Sequence, residues 1–253
     1  MKEQLIDELL TYFVNENSKY GKITFPNNID EKRKMLRGIT NMRYPNYLDE
    51  KILKLEDKLL KIELEEKGIV DALSLKEVEK NIALFLGDIT TLKADAIVNA
   101  GNSDGLGCFS PNHGCIDNAI HTYAGIRLRL ECKEKLDNKK IPVGGIIVCK
   151  GYNLPCDYVI TTVGPQICGE VTLNDEEALS NCYKNSLKYA VEHNFKTIVF
   201  PSISTGVFGY PIGKSKYVVY NTVKGFLKTN DIKVVFNLFS KGDYDEYKAL
   251  FSN

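Results

Sequence analysis

Two cysteines and a histidine lie close together in the segment GCFSPNHGC, residues 107–115. Four residues separate Cys108 from His113, one separates His113 from Cys115, and Pro111 stiffens the connection. Thiolate and imidazole suit Zn²⁺, and this compact spacing lets three side chains converge on one ion. Three protein ligands with one open position are typical of catalytic zinc, whereas structural sites usually have four. The alternative is that both cysteines are small buried apolar side chains.

Polar residues at the end of this segment and on either side of it could support the same site. We expect Cys115 in the first turn of the next helix, where the helix dipole favours a thiolate. Asp117 and His121 are four positions apart and therefore share one face of that helix. His121 either supports a ligand from behind or is a packing histidine. Asp104, just before the segment, is either a carboxylate near the chemistry or an ordinary loop acid.

Small polar residues also follow three strand-like runs. They occupy residues 87–90, 99–103 and 202–209. The last of these segments offers successive backbone N–H groups and two hydroxyls around Gly206, and a helix begins near Gly213. That combination suits a phosphate or diphosphate, although the same residue types are common in ordinary turns.

The elements that must position these residues alternate between strand-like and helical from about residue 80 onward. The strand-like runs are short and rich in Val and Ile: IALFLG, DAIVNA, GGIIVCKG, YVITTVG, TIVFPSI and KVVFNLF. The helical segments are 115–135, 174–193 (with Asn174 and Glu177 as a capping pair), 213–228 and the C-terminal GDYDEYKALF. This alternation predicts an α/β fold with a mixed sheet and helices on both faces. Ligands of such sheets bind at the carboxyl ends of the strands.

The first 75 residues have a different pattern. Apolar residues recur at helical spacing in three successive segments, the third of which is YLDEKILKLEDKLLKIELEEKG. Its other face pairs acids with bases four residues apart, which is typical of a solvated helix that covers another element.

Charge and composition exclude several functions. Lys plus Arg and Asp plus Glu each number 33, and no basic stretch predicts binding of nucleic acid or an acidic membrane. Acidic residues interrupt the N-terminal apolar positions, so we expect no secretory signal. Seven cysteines in a chain of this length favour free thiols in a reducing compartment. We therefore predict a soluble, cytoplasmic protein that binds a small or locally recognised ligand.

Several segments together resemble a known family. GDITTLKADAIVNAGNS, YVITTVGP and VFPSISTGVFGYP resemble the successive signature segments of the macrodomain, a three-layer α/β/α module that binds ADP-ribose. LGCFSPNHGCIDNAIH is similar to the loop of the zinc-containing macrodomain branch, whose members hydrolyse protein-linked mono-ADP-ribose. LRGITNMRYPNYLDE resembles that branch's helical N-terminal extension. The resemblance implies an extension over residues 1–75 and a macrodomain over residues 76–253.

The resemblance also implies roles for individual residues. Asp88 would accept the adenine amino group and Ile89 would contribute its backbone, while Asn102 would hold the distal ribose. The implied zinc ligands, one ion per chain, are Cys108, His113 and Cys115, and with Asn102 they form the implied catalytic set. Backbone N–H groups at Cys115, Ile116 and Asp117 would face the phosphates or the distal ribose. The diphosphate would be wrapped by Ser204, Thr205, Gly206, Val207 and Phe208, with the Phe208 ring over the distal ribose.

Two positions depart from the family pattern. Gly101 stands where Ala is usual before the Asn, and Thr161 stands where His is expected. Neither departure removes a zinc ligand, so they bear on rate and substrate preference and not on the class of protein.

The implied activity is zinc-dependent glycosidase-type hydrolysis that releases mono-ADP-ribose from a modified protein, with an Asp or Glu ester as the expected linkage. Its partners would be ADP-ribose and the mono-ADP-ribosylated protein, and the oligomeric state is open. Two alternatives remain at the sequence level: a module that reads ADP-ribose without turnover, and a deacetylase of O-acetyl-ADP-ribose.

Overall fold

The structure is a computed structural model, and it describes residues 1–17 and 23–251. The N-terminal region contains three helices: α1 (Lys2–Glu16), α2 (Ile29–Met42) and α3 (Glu50–Lys67). Asn28 caps α2 by accepting hydrogen bonds from the N–H groups of Asp30 and Glu31, and Asp49 caps α3 by accepting one from the N–H of Lys51. The helical spacing of apolar residues is therefore confirmed as three amphipathic helices that share one apolar cluster.

The remainder of the described chain folds around a seven-stranded mixed sheet. This part of the described chain has nine strands, seven of them in the large sheet: β1 (Val70–Asp71), β2 (Glu77–Glu79), β3 (Ile82–Leu86), β4 (Leu92–Lys93), β5 (Ala96–Ala100), β6 (Ile146–Lys150), β7 (Tyr158–Thr162), β8 (Thr197–Phe200) and β9 (Lys233–Leu238). The large sheet has the order β2-β3-β9-β8-β5-β7-β6, and β1 pairs separately with β4. The five central strands are parallel, whereas β2 and β6 are antiparallel edge strands. All six predicted strands are present.

Five helices cover the two faces of this sheet: α4 (Ile116–Ala124), α5 (Ile126–Leu136), α6 (Leu173–Glu192), α7 (Ile212–Leu227) and α8 (Lys241–Lys248). Helices α6 to α8 bury their apolar residues against one face, and α4 and α5 bury theirs against the other. Successive side chains of β5 point to opposite faces of the sheet, since Ala96 and Val98 belong to the first cluster and Ile97 to the second. The predicted α/β/α layering is confirmed. Ile126 of α5 belongs to the apolar cluster of α1 to α3, so the N-terminal helices pack on the α4–α5 layer.

Two local predictions were wrong. The helix predicted over 115–135 is two helices, because Gly125 has a φ of 89° and interrupts the run. The capping pair of α6 is Thr172 with Asp175, whose side chains accept hydrogen bonds from each other's backbone N–H groups. Asn174, the predicted cap, lies inside the first turn.

Because the five central strands are parallel, their carboxyl ends share one edge of the sheet. The loops that carry most of the predicted site residues begin there, after β3, β8 and β5. Within the part of the chain that the structure describes, no helix is both long and apolar enough to cross a bilayer.

Candidate active site

The strand order arranges the predicted site residues along the carboxyl edge. Asp88 follows β3, residues 202–209 follow β8, and Asn102 and the segment 107–115 follow β5. With neighbouring strands about 4.8 Å apart, β3 and β5 are separated by roughly 14 Å because two strands lie between them. This line of groups suits an elongated ligand that carries a base at one end and a sugar at the other.

Asp88 lies at the β3 end of this edge, where its carboxylate is held from two sides. Oδ1 accepts hydrogen bonds from the N–H and the hydroxyl of Thr90, at 2.9 and 2.7 Å, and Oδ2 lies 2.8 Å from the ammonium group of Lys67. Burial acts to raise the pKa of Asp88, but the hydrogen bonds from Lys67 and Thr90 outweigh it and leave the pKa below its usual value. Asp88 is therefore an ionised acceptor.

Ile89 and Phe239 flank Asp88. The side chain of Ile89 is buried, and its backbone N–H donates to no other group of the described residues. Phe239 follows β9, the strand next to β3, and its ring is 83% exposed. An apolar ring this exposed, at the carboxyl edge of the sheet, is suited to stacking on a base. The sequence gives no signal for Phe239, because the residue ends the strand-like run KVVFNLF.

The loop 202–209 presents unpaired donors. Ser204 has a φ of 66°, which turns the chain tightly, and its carbonyl accepts a hydrogen bond from the N–H of Tyr210 at 2.9 Å. The backbone N–H groups of residues 206–208 donate to no other group of the described chain. The buried hydroxyls of Ser202 and Ser204 are likewise without a partner among the described residues. Several unused donors in one loop, with α7 starting just beyond it, suit a diphosphate.

Asn102 lies between the end of β5 and the cysteine-histidine segment. Its Oδ1 accepts a hydrogen bond from the N–H of Asp104 at 3.0 Å, and its Nδ2 lies 3.4 Å from the carbonyl oxygen of Gly107. Asp104 itself is largely exposed and pairs with Lys140 at 3.2 Å. The geometry favours a loop acid for Asp104 and places the Asn102 amide beside the segment that carries the predicted ligands.

Gly101 and Thr161, the two departures from the family pattern, are in contact. A β-carbon at Gly101 would lie 2.7 Å from Cγ2 of Thr161, on the neighbouring strand β7. The hydroxyl of Thr161 lies 3.3 Å from Nδ2 of Asn99. The branched Thr161 thus occupies the space that a larger residue at position 101 would need, so the two departures compensate one another.

The structure brings Cys108, His113 and Cys115 together. Their ligand atoms all lie within 4.8 Å of one another, and the Sγ of Cys108 is 3.6 Å from Nδ1 of His113. Around tetrahedral zinc, with Zn–S near 2.3 Å and Zn–N near 2.0 Å, a sulfur and a nitrogen ligand are separated by about 3.5 Å. The three residues therefore fit one zinc ion in donor type, and the distance between Cys108 and His113 fits it in spacing.

Cys115 is the N-cap residue of α4, and its Sγ accepts a hydrogen bond from the N–H of Asn118 at 3.4 Å. Burial nevertheless raises the pKa of the Cys115 thiol to about 11, against the effect of that hydrogen bond. The hydrogen bond at the helix start favours the thiolate, as expected, but desolvation by burial outweighs it. The N–H groups of Ile116 and Asp117, in the first turn of α4, face the same end of the helix as Cys115.

The side chain of Asp117 lies apart from the three ligands, in the protein interior. Its Oδ1 accepts a hydrogen bond from Nδ2 of Asn99 at 2.7 Å, and burial raises its pKa to about 6 although that bond opposes the shift. His121 is also buried, and neither ring nitrogen has a hydrogen-bond partner among the described residues. A β-carbon at Gly107 would lie 2.7 Å from the His121 ring. The geometry favours the packing interpretation of His121, beneath the residue that precedes Cys108.

The fold and the site together define a three-layer α/β/α protein with a line of candidate ligand-binding groups at the carboxyl edge of its sheet and a Cys₂His cluster at one end. A family model described as Macro domain matches residues 98–219. A protein-ADP-ribose hydrolase of Treponema medium is 39% identical over 252 residues, which cover 96% of this chain and 97% of that relative. The chain belongs to the macrodomain family.

Solved structures agree with this assignment. The macrodomain of Oceanobacillus iheyensis with ADP is 37% identical, with a TM-score of 0.63, and the match covers 69% of this chain and 92% of that chain. The Trypanosoma brucei macrodomain in complex with ADP-ribose is 29% identical, with a TM-score of 0.66, and the match covers 82% of this chain and 92% of that chain. The family part of the resemblance is therefore confirmed.

Proposed function

We propose that this chain is a protein-ADP-ribose hydrolase that depends on one zinc ion, held by Cys108, His113 and Cys115, and that it cleaves mono-ADP-ribose from an Asp or Glu ester. Relatives that match nearly the whole chain carry the name protein-ADP-ribose hydrolase. The single observation that carries the zinc part is the convergence of three ligand atoms within 4.8 Å, on the loop that follows Asn102.

The order of groups along the sheet edge matches the order of parts in ADP-ribose. The ionised Asp88 accepts the adenine amino group, the N–H of Ile89 donates to a ring nitrogen, and the exposed Phe239 ring stacks on the base. The unpaired N–H groups of residues 206–208 bind the diphosphate. This arrangement leaves the distal ribose at the β5 end, beside Asn102.

Asn102 and the Cys₂His cluster surround the reacting end of the ligand. The amide of Asn102 exchanges its loop contacts for hydroxyl groups of the distal ribose and orients the anomeric carbon, while Phe208 packs near the same sugar. The N–H groups of Ile116 and Asp117 stabilise negative charge at that end. Zinc, when bound, supplies a Lewis acid that polarises an oxygen of the substrate or of water.

Hydrolysis of the ester breaks the bond between the anomeric carbon and the carboxylate oxygen, adds water, and yields ADP-ribose and a free Asp or Glu. The leaving carboxylate has a pKa near 4 and needs no general acid. Glycosidases commonly use a pair of carboxylates. Asp104 is paired with Lys140 and Asp117 faces Asn99, so these two acids do not form such a pair. This supports a metal site as the source of catalysis.

The test compares the wild type with Cys115→Ala on a protein that carries mono-ADP-ribose on a defined Glu. Released ADP-ribose, zinc content and ADP-ribose affinity are measured on the same preparations. We expect the variant to lose zinc and turnover while its affinity for ADP-ribose stays within about threefold. Undiminished turnover without zinc would contradict the zinc role. Saturable binding of ADP-ribose by the wild type with no turnover would favour a reader module. Faster cleavage of O-acetyl-ADP-ribose than of the modified protein would favour the small ester as the substrate.

A further inference from the structure

Helix α2 of the N-terminal region lies directly behind the loop that carries the three proposed ligands. A β-carbon at Gly38 would lie 2.9 Å from Nδ2 of Asn112 and 3.6 Å from Cβ of Pro111. The helix backbone and the middle of the ligand loop are therefore in close contact, and any residue larger than glycine at position 38 would displace the Asn112 side chain.

Arg37, the neighbour of Gly38, reaches this loop with its guanidinium group. Its Nη2 donates a hydrogen bond to the backbone carbonyl of His113 at 3.3 Å, and its Nε and Nη2 both donate to Oδ1 of Asn118, at 3.2 and 2.7 Å. The planar fork of arginine makes such a paired contact geometrically specific. Arg37 thus contacts the ligand residue His113 directly, and it contacts Asn118, which in turn contacts the ligand residue Cys115.

Asn118 connects α2 to the ligand Cys115. Its backbone N–H donates to the Sγ of Cys115 at 3.4 Å, and its Nδ2 donates to the carbonyl of Ser110 and to Oδ1 of Asn41, both at 3.0 Å. The Asn118 side chain is fully buried, and its contact with Asn41 is shielded from water. The orientation of Asn118 is consequently fixed by Arg37 and Asn41 together.

Asn41 supplies a second link between α2 and the loop. Its Oδ1 also accepts a hydrogen bond from the N–H of Asn112 at 3.1 Å, in the turn between Cys108 and His113. Asn112 has a φ of 55°, a left-handed conformation that this hydrogen bond helps to hold. Asn41 is 2% exposed, so its loss would leave buried donors unpaired.

Arg129 of α5 completes the connection at Cys108. Its Nη1 donates hydrogen bonds to three backbone carbonyls at distances of 2.8 to 3.1 Å. Two of them, at Thr40 and Asn41, belong to the end of α2, and the third is that of Arg43, the residue after the helix. Its Nη2 lies 3.4 Å from the carbonyl of Cys108, and its guanidinium lies 4.5 Å from the centre of the Phe109 ring. The carboxyl end of α2 is thereby joined to the third ligand residue.

Each proposed ligand thus has a hydrogen bond that leads back to α2: Cys108 through Arg129, His113 through Arg37, and Cys115 through Asn118. We propose that α2 sets the geometry of the metal site, with Arg37 and Asn41 as its positioning residues. This inference rests on the proposed function, because it takes the loop to be a zinc site. Groups that orient metal ligands typically contribute about 10- to 100-fold to metal affinity.

The experiment measures zinc affinity and not activity. Arg37→Met and Asn41→Ala are compared with wild type by competition for Zn²⁺ against a chromophoric chelator, and by the visible spectrum of the Co²⁺-loaded protein, which reports ligand geometry. The matched control is Arg33→Met. Arg33 lies one turn earlier in α2 and makes a paired contact with Glu63, at 2.6 and 2.8 Å, away from the loop. The Tm of each metal-free protein shows which variants are folded.

We expect Arg37→Met and Asn41→Ala to bind zinc about 10- to 100-fold more weakly, with an altered Co²⁺ spectrum. Arg33→Met should lower Tm and keep wild-type zinc affinity within about threefold. Unchanged zinc binding in folded Arg37→Met and Asn41→Ala, or an equal loss in Arg33→Met, would overturn the positioning role of α2 and leave the proposed function untouched. A wild-type chain that takes up no zinc would contradict the proposed function as well, so the two failures are distinguishable.

Discussion

The ammonium group of Lys67, the last residue of α3, lies 2.8 Å from Oδ2 of Asp88 and 3.2 Å from Oγ1 of Thr90. The same ammonium lies over the Tyr123 ring, 3.1 Å from its centre. A helix outside the α/β/α layers therefore holds the acid that we assign to adenine. The consequence is that the N-terminal region affects both ends of the proposed ADP-ribose groove, through Lys67 at one end and α2 at the other.

Replacing Lys67 with Met should change how ADP-ribose binding depends on pH. Lys67 helps to keep the pKa of Asp88 low, so the wild-type carboxylate stays charged as the pH falls, and affinity should be flat from pH 8 to about 5. In Lys67→Met the pKa rises, and affinity should start to fall at a higher pH than in the wild type. Calorimetric titration between pH 4.5 and 8 measures this difference.

Inosine diphosphate ribose, which lacks the amino group, is the control ligand. Its affinity should be weaker than that of ADP-ribose and should not respond to Lys67→Met. Equal pH profiles for the two ligands would rule out the assigned contact between Asp88 and the amino group.

Removing the Phe239 ring should weaken ADP-ribose binding without destabilising the fold. Stacking of a base on an aromatic side chain is worth about 1–3 kcal/mol, so Phe239→Ala should raise Kd roughly 5- to 150-fold. Tyr47→Ala is the matched control, because that ring is 87% exposed on the N-terminal region. An unchanged Kd for Phe239→Ala would show that the base lies elsewhere.

Gly101→Ala should destabilise the protein through Thr161. The added carbon would lie 2.7 Å from Cγ2 of Thr161, and overpacking of this kind costs about 1–3 kcal/mol in the free energy of unfolding. Thr161→Ser removes that methyl and keeps the hydroxyl near Asn99, so the double variant should recover most of the loss. Urea unfolding of the four proteins gives the coupling energy, and strictly additive effects would refute the contact.

Glu56→Gln should change the pH dependence of stability. Glu56 of α3 accepts a hydrogen bond from the N–H of Ile126 at 2.8 Å, and burial raises its pKa from 4.5 to about 7. Between those values the folded state binds more protons than the unfolded state, so wild-type stability falls as pH rises. The shift corresponds to about 3 kcal/mol.

Relative to wild type, Glu56→Gln should therefore gain unfolding free energy as the pH rises from about 4.5 to 7. Denaturant titrations at several pH values measure the gain, with the exposed Glu65→Gln as control. Parallel curves for wild type and Glu56→Gln would mean that this carboxyl is not a buried acid.

Much of the fold follows from local sequence patterns. The six Val- and Ile-rich runs became strands, and the alternation with amphipathic helices predicted the layers. The strands β1, β2 and β4 were missed, because runs of two or three residues carry no periodicity. The break at Gly125 was missed because an isolated glycine is often tolerated within a helix.

Spacing along the chain predicted only the part of the site whose residues are close in sequence. Cys108, His113 and Cys115 lie within eight positions, so their spacing carried the metal hypothesis. Lys67, Phe239 and the contacts of Arg37 join segments some 20 to 150 positions apart, and no spacing rule relates them. Burial also outweighs a local effect, since desolvation raises the pKa of the Cys115 thiol more than the hydrogen bond at the helix start lowers it.

The most direct test of the central claim is a zinc titration of turnover. Metal-free protein receives increasing equivalents of Zn²⁺, and the initial rate of ADP-ribose release from a Glu-modified protein is measured at each point. Zinc dependence predicts no release without zinc, a linear rise and a plateau at one equivalent per chain. Full release from protein that contains no zinc would contradict it.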